Sequence, residues 1–386
     1  MRRTKENYRN SEFDVLAGDF TCAFRHHQWY WTVSGVKKFL SKWIKITQIV
    51  IEGDFFFRTA CKMPLKYGRS FAAPRIKVNI MSVTPRTFHL IAPSGYCHNQ
   101  PAAQLAVKRL QDQGHHVVNT EVIARRDQRF AGDDAERLQD INGLAQMEDL
   151  PDILLAVRGG YGATRLLPQI DFAAVAARLK DQPVALCGHS DFTAIQLPLL
   201  KQGAISFSGP MLTGNFGAEV LSDFTVDHFW RALTSPKLTL SWETQPQDID
   251  VQGTVWGGNL AMIASMMGTP WLPEIEDGIL VIEDVNEHPF RVERMLLQLA
   301  QSGILARQKA IVTGSFTGAT LTDYDNGYDF DSVWTLIRQV TGVPLVTGLE
   351  FGHHWNTVTL PLGAQGHLQV KGSSSTLTLS GHPTLR

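Results

Sequence analysis

From residue 86 onward the chain alternates short apolar runs with stretches of helical period, and each apolar run ends in a turn. Thr87-Phe88-His89-Leu90-Ile91-Ala92 leads into Pro93-Ser94-Gly95 and then into a helical stretch that passes Leu110 and stops at Gly114. The unit recurs. Ile153-Leu154-Leu155-Ala156-Val157 runs into Arg158-Gly159-Gly160-Tyr161-Gly162, and Val184-Ala185-Leu186-Cys187 runs into Gly188-His189-Ser190-Asp191 before another helix. Runs this short and this apolar leave no wet face, so they predict a parallel sheet covered by helices on both sides. The loops that do chemistry in such sheets collect beyond the carboxyl ends of the strands, where both glycine-rich loops fall.

Between Phe229 and Asp250 the rhythm gives way to a polar stretch holding Pro236 and Pro246, and Gly253-Thr-Val-Trp-Gly-Gly-Asn259 opens a new region. The expected division is an N-terminal α/β domain over 86–230, a linker over 231–250 and a C-terminal domain over 251–386. The last has strands predicted at 279–283, 310–313 and 345–347, a helix at 292–302 and an alternating tail at 368–370 and 376–379, a smaller α/β domain with a β-rich end. Pro198 lies inside the helix after Ser190 and is expected to kink or shorten it.

Residues 1–80 differ from this pattern. They are crowded with His26, His27, Trp29, Tyr30 and Trp31, show no sustained period, and carry 15 Lys/Arg against 6 Asp/Glu. One reading is a basic arm for nucleic acid or membrane; the one preferred here is a disordered or non-native extension outside the folded enzyme, translated from upstream of a start at Met81. Without it the balance is 21 basic against 31 acidic residues, a net of −10, which argues against a nucleic-acid partner.

With 386 residues and 44% hydrophobic content the chain can bury a core. Cys22, Cys61, Cys97 and Cys187 form no Cys-x-x-Cys or Cys/His ligand spacing, so no structural metal, cofactor or disulfide framework is expected. No run of about 20 apolar residues and no secretory order at the N-terminus appear, which makes a cytoplasmic location the expectation and a membrane partner unexpected. A homodimer is compatible with the sequence.

Ser190 follows an apolar strand and precedes a helix, the setting of a nucleophile elbow, although Gly188-x-Ser190-x-Phe192 lacks the usual second glycine and Ser-Asp before a helix also serves as an N-cap. In the first reading the amide of Asp191, with Gly159 or Gly160, would stabilise an oxyanion. The glycines at 159–162 lack the Lys-Ser/Thr of a phosphate loop and the spacing of a dinucleotide loop. Glu283 and Asp284 end an apolar strand, where a carboxylate either orients an imidazole or is merely solvated; alternation turns Asp284 to the other face, and Glu287 is the reserve. His353 follows a late glycine after another apolar strand, but spacing does not single it out among 13 histidines. Cys187, the other nucleophile to weigh, lies inside an apolar strand where a thiol is inert.

Seven stretches in order resemble the LD-carboxypeptidase family, also called muramoyltetrapeptide carboxypeptidases, which includes the microcin-immunity peptidases. They are His89-Leu-Ile-Ala-Pro-Ser-Gly95, Arg158-Gly-Gly-Tyr-Gly162, Gly188-His-Ser-Asp191, Ser208-Gly-Pro210, Trp256-Gly-Gly-Asn-Leu260, Glu283-Asp-Val-Asn-Glu-His-Pro-Phe-Arg291 and residues 348–353, and residues 1–80 have no counterpart. The resemblance implies a flavodoxin-like N-terminal domain carrying the nucleophile Ser190 and a C-terminal domain carrying Glu283 and the base His353, with the site between them. It also implies metal-free removal of the terminal D-alanine from muropeptide tetrapeptides during wall recycling. Arg158, Tyr161, Trp256 and Asn259 are the candidates for holding substrate, with Arg158 or the 256–259 loop meeting the terminal carboxylate. The competing readings are hydrolysis of an acyl-sulfamoyl or peptidyl-nucleotide conjugate on the same scaffold, and a non-catalytic two-domain ligand-binding protein in which Ser190 caps a helix.

Overall fold

A computed structural model describes residues 84–386, together with the backbone of two strands closer to the N-terminus. The chain divides into two units, 1–84 and 85–386. In the first, β1 (Phe20–Arg25) pairs antiparallel with β2 (Gln28–Val33), from Phe20↔Val33 to Arg25↔Gln28. These two strands fall in the segment that shows no sustained period in the sequence, and its aromatic and β-branched residues favour extended backbone. The rest of the 1–80 extension lies outside the described residues.

The second unit holds two sheets. Five parallel strands, β3 (Thr87–Ile91), β4 (His116–Val118), β5 (Ile153–Ala156), β6 (Ala185–Gly188) and β7 (Ser206–Ser208), lie in the order β4-β3-β5-β6-β7. This is the flavodoxin-like order, whose reversal between β3 and β5 opens a crevice at their carboxyl ends. The strands are short and apolar because both faces are covered: every residue of β5 and β6 is buried. Helix Gln100–Asp112 follows β3 as expected, started by the Asn99 side chain, which accepts from Ala102 N, and held by buried Ala103, Ala106 and Leu110. Helix Thr193–Lys201 continues through Pro198 and ends three residues later.

The second sheet has the order β11-β10-β9-β8-β13, built from β8 (Lys237–Asn259), β9 (Gly278–Val285), β10 (Gln308–Thr317), β11 (Leu345–Val346) and β13 (Gln365–Ser380). Strands β8 to β11 are parallel, and β13 runs antiparallel to β8. The expected linker over 231–250 is therefore corrected. Its first residues finish helix Asp223–Thr234, and most of the remainder is strand β8. Only one face of that segment is apolar, through Leu238, Leu240 and Ile249, so it reads as polar overall. Pro246 sits where the ladder is irregular, between Glu243↔Ser374 and Gln247↔Gly372, so no regular ladder bond is lost.

The boundary between the domains also shifts. Strand β12 (Leu360–Leu362), expected in the C-terminal domain, pairs antiparallel with β7 and so belongs to the first sheet. The segment after β11 thus leaves the second sheet and is anchored on the first, across the crevice.

Candidate active site

Strand β6 ends at Gly188, where a Cβ would come within 2.5 Å of the Phe192 ring and 2.9 Å of the Ala156 Cβ, so only glycine lets the turn close. His189 is extended, and Ser190 then adopts φ +64°, the left-handed region that a serine enters at a cost of about 1–3 kcal/mol. A short 3₁₀ turn, Ser190–Phe192, leads into helix Thr193–Lys201. This is the strained strand–turn–helix geometry of a nucleophile elbow, and the missing second glycine does not prevent it.

The loop after β5 lies against this turn. A Cβ on Gly159 would sit 2.8 Å from Ser190 Cβ, 2.9 Å from its Oγ and 3.2 Å from the Asp191 amide nitrogen. Gly159 O accepts from Gly95 N (3.2 Å), which joins the loops after β3 and β5. Gly160, at φ +106°, is exposed. The Asp191 side chain is buried, and its Oδ2 accepts from Ala163 N (2.9 Å), fixing the glycine loop from behind. Burial raises its pKa.

Across the crevice, Glu283 near the end of β9 is fully buried. Its Oε2 accepts from His353 Nδ1 (2.7 Å) and from the His353 amide (3.2 Å), and its Oε1 accepts from Asn259 Nδ2 (3.3 Å). Gly352 makes the approach feasible: at φ +111°, a Cβ there would lie 2.4 Å from Glu283 Oε2. Burial pulls the His353 pKa down, but the hydrogen bond and charge of Glu283, with Asp284 behind it, leave it above the ordinary imidazole value. Asp284 faces elsewhere, accepting from Asn259 Nδ2 and Ala261 N (both 2.9 Å); burial first, with Glu283 adding, pushes its pKa up to about 6. Glu287 pairs with Arg291, and His354 pairs with Glu350 (3.2 Å).

The elbow and the Glu283–His353 pair meet through His189, whose ring packs edge-on against that of His353 with centroids 5.0 Å apart. Among the described residues Ser190 Oγ and His353 share no hydrogen bond. His189 is a site residue that the sequence did not reveal. It donates from Nδ1 to Gly209 O (2.7 Å) just past β7, and burial, with the neighbouring His353, lowers its pKa to about 4, so it is a neutral wall beside the His353 ring.

Two of the four substrate-binding candidates are corrected. Trp256 is buried inside β8 with Nε1 donating to Gln308 Oε1 (2.8 Å), and Asn259 spends its amide on Glu283 and Asp284 while its Oδ1 caps helix Leu260–Ser265 through Met262 N (3.2 Å). Both come from a glycine-containing stretch that looks like a loop and is strand. Tyr161 is exposed beside Gly160, and Arg158 is half-buried at the same loop. Cys187 is fully buried, which pushes its thiol pKa far up and removes it as a nucleophile.

Known proteins share this architecture. Residues 88–209 match the N-terminal domain of LD-carboxypeptidases and residues 252–368 match their C-terminal domain. The crystal structure of a muramoyltetrapeptide carboxypeptidase from Oxalobacter formigenes superposes with a TM-score of 0.72 at 46% identity, covering 77% of this chain and 100% of that one. A Synechocystis sp. protein carrying only the general name of carboxypeptidase is 31% identical over 75% of this chain and 92% of its own length. The microcin C7 self-immunity protein MccF of Escherichia coli is 26% identical over 70% of this chain and 86% of its own.

Proposed function

The chain belongs to the LD-carboxypeptidase family, and on that footing we propose that it is a serine peptidase that releases the terminal D-alanine of muropeptide tetrapeptides in the cytoplasm during wall recycling. The observation that carries the reading is the 2.7 Å hydrogen bond between buried Glu283 and His353 beside a serine held at φ +64°. In this mechanism Ser190 Oγ attacks the scissile carbonyl while His353 Nε2 takes its proton. Glu283 keeps the other imidazole proton on Nδ1 and stabilises the imidazolium that forms. The negative oxygen faces the N–H groups of Asp191 and of Gly159 or Gly160. His353 then passes its proton to the leaving amine of D-alanine, and a water, deprotonated in turn by His353, hydrolyses the acyl-enzyme. The proton transfer requires Ser190 and His353 to close to hydrogen-bond distance in the substrate complex.

The 46% identity to a muramoyltetrapeptide carboxypeptidase supports the peptide substrate over the sister reading, an acyl-sulfamoyl or peptidyl-nucleotide conjugate, which rests on the 26% identity to MccF. Parallel turnover of a muropeptide tetrapeptide and an aminoacyl-sulfamoyl nucleoside separates them. The expected result is a higher kcat/KM for the tetrapeptide, with a tripeptide and free D-alanine as products. Turnover of the conjugate alone would transfer the assignment to the sister activity.

A further inference from the structure

A carboxypeptidase must distinguish a chain end from the middle of a chain, and the mark of the end is a free carboxylate. With Trp256 in the core and Asn259 committed to Glu283 and Asp284, Arg158 is a cation on the loop beside the elbow whose donors are not all used. Its Nη1 donates to Tyr96 O (2.9 Å) and meets His98 Nδ1 at 2.6 Å, which occupies both Nη1 protons on neutral partners. A guanidinium has five donors, and Nε–H with the adjacent Nη2–H forms the edge that fits a carboxylate with two parallel bonds. Among the described residues nothing accepts from that edge, and no ion pair is formed by Arg158. A half-buried guanidinium without a counter-charge is costly, and a bound anion would remove that cost.

The edge also lies in the right place. Nη2 is 3.4 Å from where a Cβ of Gly160 would stand, and a Cβ on Gly159 would run into both Ser190 and the Asp191 amide. In a peptide the scissile carbonyl carbon and the terminal carboxyl carbon are three bonds apart, at most about 4 Å. A carboxylate on the Arg158 edge therefore leaves the scissile carbonyl beside the Gly159–Gly160 loop. Arg129, over the Tyr161 ring at 5.5 Å, adds positive potential to the same approach.

We propose that the Nε/Nη2 edge of Arg158 binds the free terminal carboxylate of the substrate and so restricts the enzyme to single-residue removal from the end. This rests on the carboxypeptidase reading above. The test compares kcat/KM for a tetrapeptide ending in a free acid with that for its terminal amide, in the wild type, Arg158→Ala and Arg158→Lys. The wild type should prefer the acid by roughly 10²-fold or more, and Arg158→Ala should bring the ratio close to one by losing activity on the acid. Arg158→Lys, which keeps the charge without the fork, should retain part of the preference. Binding of both peptides to Ser190→Ala and to Ser190→Ala/Arg158→Ala, measured by calorimetry, gives the same ratio without turnover and should collapse in the same way. Equal losses on acid and amide in Arg158→Ala, in rate and in affinity, would reduce Arg158 to a brace for the Tyr96–His98 loop. Equal turnover of both peptides by the wild type would also overturn the inference while leaving the peptidase reading intact, whereas turnover of neither would remove that reading and the inference together.

Discussion

His353 can accept a proton only while neutral, and Glu283 governs both its tautomer and its pKa. Because Glu283 raises that pKa above the usual 6.5, kcat/KM should fall as pH drops through a value higher than 6.5. The same shift favours the charged ring in the folded state, so its contribution to stability is present below the unfolded pKa and is lost as pH rises through the folded one. Replacing Glu283 with Gln should move the acid limb of the pH profile downward and cost on the order of 10²–10⁴ in kcat, since the amide favours the wrong tautomer. A limb that stays in place would show that Glu283 does not face the working base. Ser190 and Glu283 stand at the ends of apolar strands, where such folds place chemistry, but a helix cap and a solvated strand end fit the same positions, so the sequence could shortlist them and only the family resemblance gave them roles. His353 was less legible still, since its selection among 13 histidines depends on a partner 70 residues away. His189 was hidden in the same manner: its proton goes to Gly209 O, just past a different strand, β7.

Among the elements, the loops after β5 and β6 form one unit, with Gly159 as the point of contact. Gly159→Ala should lower kcat by about 10²-fold or more, a loss beyond the ~1–3 kcal/mol of stability that overpacking costs, because its methyl would push Ser190 out of position. Normal turnover in that variant, read alongside its melting temperature, would mean the elbow has slack that the 2.8 Å approach to Ser190 Cβ does not suggest. Strands of the parallel sheet were legible from their unbroken apolar runs. Strand β8 was not, because only one of its faces is buried and Pro246 mimics a linker. The brief β12 escaped notice because its significance is its partner, β7, rather than its composition.

For the whole molecule, every residue named in the site and both family matches fall within residues 88–368. A chain starting at Met81 should therefore keep its melting temperature and kcat/KM, and insolubility or inactivity would show that the preceding segment contributes to the fold. The site itself is assembled from three distant segments: Ser190 after β6 of the first sheet, Glu283 near the end of β9 of the second, and His353 on the connection from β11 to β12 that joins them. No sequence period encodes that convergence; it follows from strand order and from β12 returning to β7. If the three groups act as one unit, their losses cannot add. The decisive measurement is kcat for Ser190→Ala, His353→Ala and the double variant on a muropeptide tetrapeptide. Each single change should cost roughly 10⁴–10⁶, and the double variant should be little worse than either. Full additivity, or near-normal turnover in Ser190→Ala, would contradict the assignment of this site.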